Sequence, residues 1–105
     1  MQRLNILYIG RNEGIKDTVL RLINKQENWT ATGVLTDDEA LNVWRGNAFD
    51  IVLLGNGIDA VSEEKLCRHF SAEKEDIIII QHYGGGSGLL YNEILEAIQK
   101  QNYTC

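Results

Sequence analysis

Short apolar runs alternate with segments of helical period along the whole chain. This alternation limits the possible folds more than any other feature of the sequence. Leu4-Asn5-Ile6-Leu7-Tyr8-Ile9-Gly10 is an apolar run closed by glycine, the pattern of a buried strand. Glu13 to Gln26 follows, with Ile15, Val19, Leu22 and Ile23 spaced three and four apart on one helix face. Trp29 to Leu35 is rich in residues that favour strands. In Thr36-Asp37-Asp38-Glu39, Thr36 is placed to cap the Glu39 N–H while Glu39 reaches back, a capping box. Ala40, Val43 and Trp44 form the inner face of that helix, and Gly46-Asn47 ends it.

Phe49 to Gly55 reads as a third strand, and its unbroken Ile51-Val52-Leu53-Leu54 core predicts burial on both faces. Ser62 is the expected cap of a helix running to about Lys74, with Leu66 and Phe70 inward. Asp76 leads into a fourth strand, Ile77-Ile78-Ile79-Ile80. After the Gly84-Gly85-Gly86-Ser87-Gly88 loop, Leu90, Tyr91, Ile94, Leu95 and Ile98 mark a last helix with Ser87 as its cap. The order βαβαβαβα predicts one domain over residues 1–105, a parallel sheet with right-handed crossovers and helices on both faces. Sites in such sheets lie beyond the carboxyl ends of the strands. Three segments meet there: Gly10-Arg11-Asn12-Glu13, Gly55-Asn56-Gly57 and Gln81-His82-Tyr83.

Composition removes several classes of function. A hydrophobic content of 44% is too high for a disordered chain. No run approaches the ~18 apolar residues of a membrane span, and the first residues lack a signal-peptide layout. A formal charge of −5 argues against nonspecific binding to nucleic acid or anionic membrane. Without secretion, the expectation is a cytoplasmic protein with Cys67 and Cys105 reduced.

The spacing of these elements resembles that of a response-regulator receiver domain. Ile6 to Gly14 looks like the family opening "ILIVDDNE", and Thr36 to Leu41 is similar to "ANGEEAL". Phe49 to Leu54 is similar to "YDLVLLD", Asp76 to Ile80 to "PIIMLT", and Gly88 to Ile98 to "PFDPEELLEAI". The resemblance implies a three-layer α/β/α, flavodoxin-like sandwich with four parallel strands in order 2-1-3-4. The usual helix 4 and strand 5 would be missing. It also implies bacterial two-component signal transduction.

The same resemblance places the family's two metal-holding acids on Gly10 and Arg11. Its phospho-accepting Asp falls on Gly55, and its hydroxyl residue after strand 4 on Gln81. Its Lys–cis-Pro turn has no counterpart, and the chain contains no Pro. Phosphoryl transfer to a carboxylate needs a nucleophilic Asp and a divalent cation held by oxygen ligands. These departures predict a degenerate pseudo-receiver: no catalysis, no cofactor, and protein interaction independent of phosphorylation.

The alternative is a small-anion or nucleotide sensor built from Arg11 and the Gly84–Gly88 loop, since arginine forks and helix N-termini suit anions. The loop lacks the Lys-Ser/Thr ending of a phosphate-binding loop. Arg11, Asn12, Asn56, His82 and Ser87 are the candidate ligand or partner contacts. Cys67, His69 and His82 do not make a convincing metal set, because Cys67 and His69 point to different helix faces. With no strand 5, Ile77, Ile78, Ile79 and Ile80 would form an apolar sheet edge. That edge predicts a homodimer or a signalling partner.

Overall fold

The computed structural model describes residues 3–55, 57–81 and Ile94. The elements in chain order are β1 (Leu4–Ile9), α1 (Glu13–Asn24), β2 (Trp29–Val34), α2 (Asp37–Gly46), β3 (Ile51–Leu54), α3 (Ala60–Glu73) and β4 (Ile78–Gln81). All pairings are parallel, and the sheet order is β2-β1-β3-β4. This is the order expected from the sequence. The expected absence of a further helix and strand concerns residues outside those described.

Local chemistry sets the helix ends. Asn12 caps α1 by accepting the Ile15 N–H at 2.9 Å. The Thr36–Glu39 capping box of α2 is present in both directions. The cap of α3 is Asp59 rather than Ser62. The Asp59 carboxylate accepts the Ser62 N–H at 2.8 Å, so Ser62 lies inside the first turn. Both residue types cap well, and the chain path through Gly57 decides between them. Strand β4 starts one residue later than expected, because the Ile77 N–H bonds the Lys74 carbonyl at 3.2 Å in the turn that precedes it.

The pleat divides the core between two sheet faces. Leu7, Ile9, Val52, Leu54 and Ile79 pack with Ala40, Trp44, Leu66 and Phe70 of α2 and α3. Leu4, Ile6, Tyr8, Ile51, Leu53 and Ile80 pack with Val19 and Ile23 of α1. All four residues of β3 are buried, as a central parallel strand requires. Ile94 is helical and fully buried in the cluster on the α1 side.

The amino ends of the strands are closed by a separate set of contacts. Trp44 packs on Phe70 with ring centroids 4.4 Å apart. Its indole N–H donates to Glu73 at 2.6 Å. Lys74 donates to the Phe49 carbonyl at 2.7 Å. Asp50 accepts the Asn5 N–H at 2.9 Å, which places its carboxylate at the end of the sheet opposite the candidate site.

Candidate functional site

Sheet register brings the candidate positions together. Ile9 pairs with Leu54, and Leu54 with Gln81, so the next residues of β1 and β3, Gly10 and Gly55, emerge side by side. The Gly55 N–H donates to the Ile9 carbonyl at 2.7 Å, and the Gly10 N–H to the Val34 carbonyl at 3.1 Å. These bonds extend the ladder past the strand ends and fix both glycines. Gly10, Arg11, Gly55 and the backbone of Gln81 thus gather as expected. Asn56, His82, Ser87 and the Gly84–Gly88 loop lie outside the described residues.

Arg11 binds parts of its own chain. One guanidinium nitrogen donates to the Leu35 carbonyl at 2.9 Å, and the other to Asp37 at 2.6 Å. The pair is about one-third exposed on each side, at 30% and 33%. Its stem runs past Gly57, where a Cβ would meet Arg11 Cβ at 2.9 Å; Gly57 also has a φ of +91°, so glycine is required twice over. Arg11 therefore joins the loop after β1 to the loop after β2 and packs on the loop after β3. The Asn12 side chain is engaged in capping α1.

Asp59 and Asp37, in the loops beside the site, are both already engaged. The Ser62 backbone N–H holds the Asp59 carboxyl below its ordinary range, with a smaller contribution from the Arg11 charge. Asp37 is paired with Arg11. Among the described residues, no three His, Cys, Asp or Glu side chains gather as a metal site would require. His69 Nε2 lies 3.1 Å from Glu73 Oε2, off the line a hydrogen bond needs. Cys67 is buried under α3 and disulfide-bonded, which corrects the expectation of a reduced thiol. The other cysteine, Cys105, lies outside the described residues.

Sequence reasoning missed Tyr8. It is 1% exposed on the α1 side of β1, two residues before Gly10. A Cβ on Gly10 would meet its ring at 2.8 Å from Cε2, and a Cβ on Gly55 would overlap its hydroxyl and come within 2.7 Å of Cζ. Burial pushes the phenol above its ordinary range, so it is neutral at physiological pH. An aromatic in an otherwise aliphatic strand beside two glycines was the available signal.

No family model matches the chain, and no curated protein matches it. Solved structures do. The signal receiver domain of an HD domain-containing protein from Pseudomonas fluorescens Pf-5 superposes with a TM-score of 0.81 at 14% identity, over 95% of this chain and 98% of that one. The fold is that of a response-regulator receiver domain. The BeF3-activated DrrB receiver domain matches at a TM-score of 0.77 and 14% identity, over 93% and 99% of the two chains. The non-phosphorylated HemR receiver domain from Leptospira biflexa matches at 0.68 and 20%, over 96% and 77%.

A receiver fold raises the question of a divalent cation at the carboxyl ends of β1 and β3. The residues present do not fit one. Gly10 and Gly55 offer no side-chain oxygen, Tyr8 fills the space a side chain on either would need, and Arg11 brings a positive charge. Mg²⁺ takes hard oxygen ligands in an octahedral array, and this set supplies none from those positions.

Proposed function

We propose that this chain is a receiver-fold signalling module that acts by protein contact and without phosphorylation. One observation carries the reading. The residue at the carboxyl end of β3, beside Gly10, is Gly55, which has no group to accept a phosphoryl. Two carboxylates of the surrounding loops, Asp37 and Asp59, are engaged by Arg11 and by the Ser62 N–H. Covalent capture of phosphate needs an activated nucleophile in place. Arg11 supports this reading over that of an anion sensor, because both of its terminal nitrogens already have partners.

Among the described residues β2 and β4 bound the sheet, and a comparison of the two supports contact at β4. Three outward N–H groups along β2 and just past its end are closed by the chain itself: Trp29 donates to the Gln26 carbonyl at 3.1 Å, Ala31 to Asn24 at 3.0 Å and Leu35 to Glu39 at 3.1 Å. On β4, the Ile78 N–H faces β3 and bonds the Asp50 carbonyl at 3.3 Å. The Ile79 N–H therefore faces away, and no described residue accepts it. Natural proteins close exposed strand edges against unwanted pairing, and a donor with no acceptor among the described residues is where a strand or partner could add. The side chains of Ile77, Ile79 and Ile80 are buried rather than forming the exposed apolar edge expected from the sequence, so we assign the contact to the backbone edge of Ile77–Ile80 and its flank, in a homodimer or with a signalling protein.

Two-dimensional NMR of the whole chain tests the first part. Adding Mg²⁺ with beryllofluoride or acetyl phosphate should leave the signals of Gly10, Arg11 and Gly55 in place. Shifts confined to those residues would overturn the reading. Light scattering tests the second part: self-association of the wild-type chain is the homodimer result, and a monomer at high micromolar concentration that binds no partner would overturn the contact.

A further inference from the structure

We propose that Tyr8 is a built-in occupant of the receiver site, and that Tyr8, Gly10 and Gly55 form one interdependent unit. The tyrosine ring straddles the two strand ends. Its Cε2 edge faces Gly10 and its Cε1 edge faces Gly55, while the hydroxyl lies against both. On Gly10, a Cβ would stand 2.8 Å from Cε2, 2.8 Å from the hydroxyl and 3.0 Å from Cζ. On Gly55, it would overlap the hydroxyl and stand 2.7 Å from Cζ and 3.0 Å from Cε1.

Backbone conformation does not require either glycine, since Gly57 alone among the described glycines has a positive φ. Only space excludes a side chain at Gly10 and Gly55. The ring cannot yield that space by turning, because it is fully buried in the cluster with Ile6, Leu53, Ile80 and Ile94. Close-packed interiors tolerate added atoms poorly.

The consequence reaches function. The loss of acids at these positions is enforced from beneath the site, so no single substitution there can restore a phosphoryl acceptor or metal ligand. This deepens the proposed reading, yet its test uses no phosphoryl chemistry. Folding equilibria are measured in urea for wild type, Gly55→Ala, Tyr8→Val and the double variant, with Gly46→Ala as control. A Cβ on Gly46 meets nothing within 4 Å.

In the Tyr8 background, Gly55→Ala should lower the folding equilibrium constant by about tenfold or more. With Val at position 8, the same change should cost less than about threefold. Gly46→Ala should leave the constant unchanged or raise it. Should Tyr8→Val fold poorly, Tyr8→Phe serves instead. It removes the hydroxyl clash and keeps the Cζ clash, so the Gly55→Ala cost should fall without vanishing. A Gly55→Ala cost that is equal in every background, or absent with Tyr8 present, overturns the proposal. A wild-type response to beryllofluoride would sink the phosphorylation-independent reading and leave this coupling untouched.

Discussion

Removing the Arg11 guanidinium gives a perturbation whose size follows from its two bonds. The Arg11–Asp37 pair is short, at 2.6 Å, but about a third exposed on both sides. Solvent screening at that exposure leaves about 0.5–1 kcal/mol of the Coulomb attraction. The bond to the Leu35 carbonyl is charge-assisted and half-shielded, and contributes about 1 kcal/mol. Arg11→Ala should therefore cost about 1.5–2 kcal/mol. For a domain of this size that lowers Tm by roughly 6–15 °C. Asp37→Asn removes the pair alone. The double variant should show a coupling of about 0.5–1 kcal/mol, read in urea by fluorescence of Trp44, and about 1 M NaCl should weaken it. Strictly additive losses would mean the pair does not hold the loops together. A wild-type chain stabilised by millimolar phosphate through Arg11 would restore the anion-sensor alternative.

Three further outcomes follow from the packing and the titratable groups. Phe70→Ala, a fully buried site packed against Trp44, should cost about 3–5 kcal/mol with an unchanged urea m-value; a loss under 1 kcal/mol would show that α3 is not packed as described. The Tyr8 phenol is raised in the folded chain from about 10.0, so its contribution is complete below pH ~10 and declines as pH rises toward the folded value. Equilibrium unfolding across that range should therefore show Tyr8→Phe losing less stability than wild type, and parallel curves would contradict it. The Leu35 N–H, followed by the Thr36 hydroxyl and N–H, holds the Glu39 carboxyl below its usual 4.5. Stability from this box is present above pH ~4.5 and lost as pH falls through the lower folded value. Glu39→Gln should flatten that acid limb in a circular dichroism titration.

Much of the fold was legible because it rests on local rules. The capping box at Thr36 and Glu39 is written within four consecutive residues, and the Ile51–Leu54 run states its own burial. The α3 cap was misread because Asp59 and Ser62 are both good caps. The choice between them depends on how the chain turns at Gly57 past Arg11, which is a contact with another loop. The engagement of Arg11 by Asp37 and Leu35 was equally unreadable, since it needs β1 and β2 set side by side.

By itself, the sequence determined the alternation of strands and helices, a parallel sheet and the absence of side chains at Gly10 and Gly55. Periodicity, caps and residue identity are properties of the chain before it folds. Only the tertiary structure decided what those two glycines mean. Pairing of β1 with β3 lays them on either edge of the Tyr8 ring, so an apparent vacancy is a filled space. A strand register between distant segments sets that contact, and no local pattern encodes it.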